Sequence, residues 1–123
     1  MVTLTQQAET VASKRYYLKD ESGEPEENAN TLLERVAKAI ASSEKLYGKS
    51  DADVDLTSKE FYDMMTELNF VPNSPTLMNA GTEQGTLSAC FVLPLEDSME
   101  DIMKAAHDIA MVQKFGGGTG FAL

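Results

Sequence analysis

Leu87-Ser-Ala-Cys-Phe-Val-Leu-Pro-Leu95 decides the fold: it is an apolar run that holds the only cysteine of the chain, Cys90, and is closed by a proline. Such hydrophobicity without polar alternation is what a strand buried on both faces of a parallel sheet requires, since neither face meets water. Pro94 ends the run because it has no N–H to offer a ladder. Immediately downstream, Ser98 and Asp101 have the spacing of a helix N-cap and its partner, and Ile102, Ala105, Ala106 and Ile109 then fall on one helical face. The unit is strand, tight loop, helix. In parallel α/β structures ligands collect beyond the carboxyl ends of strands, which is where Asp97 and Ser98 stand.

That helix runs into Lys114-Phe-Gly-Gly-Gly-Thr-Gly-Phe121, in which four of the five residues from Gly116 to Gly120 lack a side chain. Two readings stay open for this loop, a helix C-cap followed by a bend or a cradle that lets a ligand touch the backbone. It is not a dinucleotide fingerprint, because the glycines follow a helix and Phe121 occupies the place of the third glycine. Nor is it a P-loop, for no Gly-Lys precedes a Ser or Thr. His107 lies off the apolar stripe and reads as an exposed helical side chain, and one histidine without a cluster is poor support for a metal.

Upstream, the character of the chain changes at Phe70. Val71-Pro-Asn-Ser-Pro-Thr-Leu-Met-Asn-Ala-Gly81 has two prolines and reads as a constrained, polar-rich connection that cannot be a regular helix through its first half. Before it, Thr31 and Glu34 have capping-box spacing, with Leu33, Val36, Ala37 and Ile40 recurring at helical intervals until Gly48 stops the helix. A second helix is expected from Thr57, with Glu60 as capping partner and Phe61, Met64, Met65 and Leu68 buried, and the two stripes pack as an antiparallel pair. The methionines serve as core filler. Arg15-Tyr-Tyr-Leu18 reads as strand-like or as an extended arm. Residues 20 to 27 hold five carboxylates and no base, which with Gly23 and Pro25 reads as a solvated turn.

Composition limits the function. A chain of 123 residues, 42% hydrophobic, can form one modest core, and a net charge of -10 repels nucleic acid phosphates and anionic membrane surfaces. No stretch approaches the roughly 20 apolar residues of a membrane span, and the N-terminus has no signal-peptide pattern, so a cytoplasmic location is expected. A single cysteine cannot close an internal disulfide, so disulfide chemistry needs a partner thiol elsewhere.

Taken together, Asn73-Ser-Pro-Thr-Leu-Met-Asn-Ala-Gly81, Leu87-Ser-Ala-Cys-Phe-Val-Leu-Pro94, Asp97-Ser98 and Lys114-Phe-Gly-Gly-Gly-Thr-Gly-Phe121 resemble the adenosylcobalamin-dependent, class II ribonucleotide reductases. Lys14-Arg-Tyr-Tyr-Leu-Lys-Asp20 and the helices after it are similar to the opening of that family, so the resemblance spans nearly the whole chain but only the start of the enzyme. It implies an α/β fold, with a helical region over residues 1–70 and the first strand-helix unit of a ten-stranded α/β barrel over residues 71–123.

The implied reaction replaces the ribose 2'-OH of a ribonucleotide, expected to be a diphosphate, with hydrogen by thiyl-radical chemistry. The resemblance implies that Cys90 is one member of a dithiol pair that supplies two electrons, while the radical cysteine lies in a later loop. By the same likeness, Ser74, Ser88, Ala89, Gly117 and Gly118 line the substrate site, and Asp97 with Ser98 meets an allosteric nucleotide, a deoxynucleotide or ATP, at a homodimer interface. A thioredoxin-like reductant is the implied electron source. The radical cysteine, the second redox cysteine and the adenosylcobalamin site are not among these residues, so the chain is expected to be a fragment, a truncated product or half of a split enzyme, inactive alone. Two alternatives stay open: a stand-alone nucleotide- or reductase-binding module, and part of a class I large subunit.

Overall fold

The computed structural model describes residues 2–83 and 86–122. Helix α1, Gln6–Arg15, starts where Thr5 Oγ1 accepts the Ala8 amide at 3.3 Å, an N-cap that satisfies one of the orphan donors of the first turn. The strand-like reading of Arg15-Tyr-Tyr-Leu18 is therefore corrected. Arg15 closes α1, Tyr16 caps it, and the chain then turns into a single antiparallel bridge between Lys19 and Pro25. Ala12 is the one residue α1 buries, so the helix has no apolar stripe to betray it.

Helix α2, Ala29–Ala41, begins earlier than Thr31. Asn28 is the cap, accepting the Thr31 amide at 3.2 Å, while Thr31 Oγ1 accepts the Asn28 amide at 2.9 Å. Thr31 is thus the reciprocal partner and not the cap. The helix buries Leu32, Val36, Ala37 and Ala41, then tightens into a 3₁₀ segment, Ser42–Tyr47, that ends at Gly48 as expected, with φ at +78°. Helix α3, Asp51–Thr66, likewise starts ahead of Thr57, because Ser50 and Asp53 form the capping box. Val54 and Met65 are buried and Phe61 and Met64 half-buried.

Leu68 is not. It adopts φ +61° and is 68% exposed, because α3 closes with a Schellman turn: the Asn69 amide donates to Met64 O at 3.1 Å and the Leu68 amide to Met65 O at 3.2 Å. A left-handed leucine costs roughly 1 kcal/mol and points its side chain away from the helix face that would have buried it.

The packing of α2 on α3 is the principal contact of the helical region, and the core gathers Ala12, Tyr17, Leu32, Val36, Ala37, Met65, Leu77 and Ala80. The proline-rich connection contributes a short helix, α4, Ser74–Asn79. Pro75 sits in its first turn, where no amide donor is needed, and Asn73 Oδ1 accepts the Thr76 amide at 2.9 Å.

The remainder is a β-α-β unit: β1, Cys90–Val92; α5, Met99–Lys114; β2, Gly118–Gly120. The strands are parallel, with Cys90 opposite Gly118, Phe91 opposite Thr119 and Val92 opposite Gly120. Ser98 caps α5 as its spacing requires. The glycine loop combines a C-cap with a second strand. Gly116 takes φ +86°, its amide donates to Gln113 O at 3.0 Å and that of Gly117 to Val112 O at 3.1 Å, and the chain then enters β2. The expectation that β1 is buried on both faces is not met. Phe91 is half-buried but Val92 is 89% exposed, because α5 covers one face of the two-stranded sheet and no described element covers the other. The expected apolar face of α5 is likewise mostly open: Ala105 is buried, Ile109 half-buried, and Ile102 and Ala106 exposed. Among the described residues no helix is long and apolar enough to cross a membrane.

Candidate functional site

Side chains alternate across a pleated strand, so Cys90 and Val92 share a face with Gly118 and Gly120, and Phe91 and Thr119 share the other. The first face is open and carries the thiol. Cys90 is accordingly exposed, which corrects the expectation of a buried cysteine. Two glycines do different work beside it. Gly117 is buried, and a Cβ there would lie 2.7 Å from Val112 Cγ1 and 2.8 Å from Phe91 Cε2, so any side chain would force helix and strand apart or these side chains aside. A Cβ on Gly118 would meet only Ala89 O, at an ordinary 3.5 Å. Packing therefore does not demand glycine at 118; its effect is to leave the space opposite Cys90 clear.

The backbone near the thiol is already committed. The Gly118 amide donates to Ala89 O at 2.7 Å and the Gly117 amide to Val112 O, so these residues shape a surface and do not offer free N–H groups. Ser88 is exposed just ahead of β1.

Helix α4 ties this unit to the helical region through two residues the sequence reading did not single out. Thr76 Oγ1 donates to Leu87 O at 3.1 Å, and Asn79 Nδ2 donates to Thr86 O at 2.7 Å and Phe115 O at 3.1 Å, joining the entry to β1 with the end of α5. Asn79 is only 6% exposed, and a buried amide must find such partners. The signal for it was a polar residue inside the otherwise apolar Leu77-Met-Asn-Ala80.

Ser74, half-buried at the start of α4, shares a hydrogen bond of 3.1 Å with the Tyr16 hydroxyl. The same helix is gripped by Arg35, whose Nη1 donates to Ala80 O at 2.5 Å and Nη2 to Leu77 O at 3.1 Å. Arg35 also forms a bidentate pair with Glu27, at 2.7 Å and 3.0 Å, in which the side chains are 12% and 9% exposed. Glu27, expected in a solvated turn, is instead half of a nearly buried ion pair, while its acidic neighbours stay in solvent. In that turn Asp20 Oδ1 accepts from Ser22 and Glu24, and these hydrogen bonds, the Ser22 hydroxyl first, hold its carboxyl below the usual range.

Asp97 and Ser98 lie apart from this group, beyond the carboxyl end of β1, whereas Cys90, Ser88 and Ala89 are at its amino end. Asp97 is exposed. The Ser98 hydroxyl is engaged, donating to Asp101 Oδ2 at 2.6 Å and accepting the Asp101 amide at 3.1 Å. His107 is exposed as expected and pairs with Asp108 at 3.1 Å; the Asp108 carboxyl is lowered first by the Lys104 hydrogen bond and then by that of His107. No group of three or more His, Cys, Asp or Glu side chains among the described residues could hold a metal ion. Apolar cavities of about 270 Å³, beside Phe61 and Phe70, and about 420 Å³, beside Val11 and Leu68, lie in the helical region, and none of the sequence-predicted site residues lines either.

A helical region followed by an open parallel β-α-β unit finds its counterpart in known proteins. Residues 2–85 match the ribonucleotide reductase all-alpha domain and residues 88–123 the ribonucleotide reductase barrel domain. The chain is 43% identical over 115 residues to the vitamin B12-dependent ribonucleoside-diphosphate reductase of Mycobacterium tuberculosis, covering 94% of this chain and 16% of that protein. The enzyme of the same name from Thermoplasma acidophilum is 36% identical, across 97% of this chain and 22% of its own length. The ribonucleoside-diphosphate reductase large chain 2 of Saccharomyces cerevisiae is 35% identical, across 87% and 11%. The chain thus spans less than a quarter of the length of these relatives. On the match of both domains, this chain belongs to the ribonucleotide reductase family.

Proposed function

We propose that this chain forms the helical support and the opening β-α-β unit of a ribonucleotide reductase that converts ribonucleoside diphosphates to deoxyribonucleotides. In this reading Cys90 is one of two thiols that furnish the electrons. The observation that carries it is the position of Cys90 on the open face of β1, opposite a glycine that packing does not require. A second thiol, from outside residues 1–123, must approach Cys90 until the Cα atoms are about 4.4–6.8 Å apart for a disulfide to form. The side-chain-free strand beside Cys90 leaves room for that approach.

The chemistry balances with this pair. The C2'–O bond of the ribose breaks and the oxygen leaves as water; a C2'–H bond forms. Two thiols become one disulfide, giving up two electrons and two protons. An external dithiol protein of the thioredoxin type then returns the pair to its reduced state by exchange, for which an exposed sulfur is needed. Ser74 and Ser88 present hydroxyls to ribose or phosphate oxygens, and Ala89, Gly117 and Gly118 shape the adjoining wall. The effector nucleotide falls to Asp97, whose exposed carboxylate can accept a hydrogen bond from a ribose hydroxyl, while Ser98 fixes the helix end beside it.

Adenosylcobalamin, which the names of the Mycobacterium and Thermoplasma relatives point to, does not fit the described residues: the larger apolar cavity, of about 420 Å³, suits a ligand of ordinary drug size, and a corrin with its nucleotide arm is far larger. Its site belongs to other parts of the enzyme, where it would start the radical chemistry.

The test is Cys90→Ser in the complete reductase. Turnover sustained by a dithiol reductant should fall to background while radical formation on the enzyme, followed by electron paramagnetic resonance, persists. Sustained turnover at the parent rate would overturn the assignment of Cys90.

A further inference from the structure

We infer that Tyr16 is a positioning residue for the substrate hydroxyl of Ser74, so that the helical region sets how the nucleotide is held. The inference rests on the reading of Ser74 as a substrate-binding residue.

The Tyr16 hydroxyl lies 3.1 Å from Ser74 Oγ across a separation of 58 residues, and both side chains are half-buried. Either hydroxyl can donate in this pair. A substrate offering an anionic or ribose oxygen needs Ser74 to donate, and Ser74 has a single proton. Tyr16 must then be the donor to Ser74, which turns the serine proton away from the phenol and toward the ligand. Bare Ser74 would rotate freely among its staggered positions; the phenol selects one.

The two hydroxyls are held in register by a rigid fork. Arg35 Nη2 contacts Tyr16 O at 3.4 Å and Leu77 O at 3.1 Å, while its Nη1 takes Ala80 O at 2.5 Å. The end of α1 and the carboxyl end of α4 therefore hang on one planar guanidinium, itself locked by Glu27. Arg35 fixes the far end of α4 and Tyr16 the near end. A six-residue helix held at both ends from the helical region cannot tilt without breaking one of these contacts.

The test is a double-mutant cycle in the complete reductase, with Tyr16→Phe, Ser74→Ala and the pair, each assayed for KM and kcat with a ribonucleoside diphosphate. Phenylalanine keeps the ring and removes one hydrogen bond, so Tyr16→Phe should raise KM about threefold to tenfold while kcat stays within about twofold. The double variant should be no worse than Ser74→Ala alone, because Tyr16 acts only through that hydroxyl. If Ser74→Ala raises KM and Tyr16→Phe does not, or if the two effects multiply, the positioning role is overturned and the reading of Ser74 stands. If Ser74→Ala leaves KM unchanged, that reading itself falls and the inference falls with it.

Discussion

The helical region closes an apolar core and the β-α-β unit does not, although both leave large apolar side chains in water, Leu46 and Leu68 in the first among them. In the first, Leu32, Val36, Ala37, Met65 and Leu77 are buried, and the nearly buried charges of Arg35 and Glu27 meet each other, with Arg35 also holding backbone carbonyls. In the second, Val92 is 89% exposed, Met99 70% and Met103 62%, and the sheet has one covered face and one bare. The two regions are joined by α4, through Thr76 and Asn79 on one side and Arg35 on the other. The difference teaches that one part of the chain has a core of its own to fix its shape, while the other is a shaped surface on which the thiol is displayed.

The largest expected effect lies in the first region. Arg35→Ala leaves the nearly buried Glu27 carboxylate without a counter-charge, with the Leu18 amide at 2.9 Å as its remaining described partner, and strips partners from Leu77 O and Ala80 O. Breaking such a pair from one side costs about 3–5 kcal/mol. Urea unfolding followed by circular dichroism should show a midpoint displaced accordingly. A loss below about 1 kcal/mol would place this ion pair with ordinary surface pairs and remove the claimed contrast between the regions.

A smaller and more local loss is expected in the second region. Gly117→Ala forces a Cβ within 2.7–2.8 Å of Val112 and Phe91, an overpacking of about 1–3 kcal/mol. Hydrogen exchange should quicken at the Gly118 amide, whose bond to Ala89 O holds the strands together, and stay unchanged at Val36 in α2. Equal acceleration at both would mean that the chain opens as a single unit, and the comparison of two regions would fail.

What could be read from the sequence follows the same division. The pairing of the two amphipathic helices, the Gly48 stop and the Ser98 cap were legible because each rests on residues close in sequence. The starts of α2 and α3 were misplaced for a definite reason: Asn28 with Thr31 and Ser50 with Asp53 cap as well as Thr with Glu does, and several candidate pairs precede each apolar stripe. Helix α1 is not legible because it buries one residue, and α4 is not because Pro75 resembles a helix breaker although its place in the first turn makes it neutral. The site divided likewise. The family resemblance, not its local setting, marks Cys90 as a redox candidate, and its exposure depends on what covers β1, which no local pattern records. Arg35, Glu27 and Tyr16 could not be found in advance, since their partners lie eight to 58 residues away and only the fold brings them together.

Alkaline titration gives the smallest effect and the finest test of how well the helical region is sealed. Tyr17 is 5% exposed and its hydroxyl donates to both Glu9 carboxylate oxygens at 2.9 Å. Burial first, then the Glu9 hydrogen bond and the charges of Glu9 and Glu27, push the phenol well above its ordinary value of 10.0. A group raised in the folded state contributes its full stability below the unfolded value, and that contribution is lost as pH rises from about 10 toward the folded one, by up to about 1.4 kcal/mol per pH unit. Lys38, Lys45, Lys59 and Lys104, raised chiefly by their carboxylate hydrogen bonds, lose stability in the same direction, so the parent chain alone cannot isolate Tyr17. Tyr17→Phe can, because it keeps the ring and every lysine and removes only this titration. The stability difference between parent and variant in urea should therefore narrow between pH 9 and pH 11, a window set by the phenol. A difference that stays constant across it would mean that the Tyr17 hydroxyl ionises as easily in the folded chain as in the unfolded one, and that water reaches the side of the core it closes.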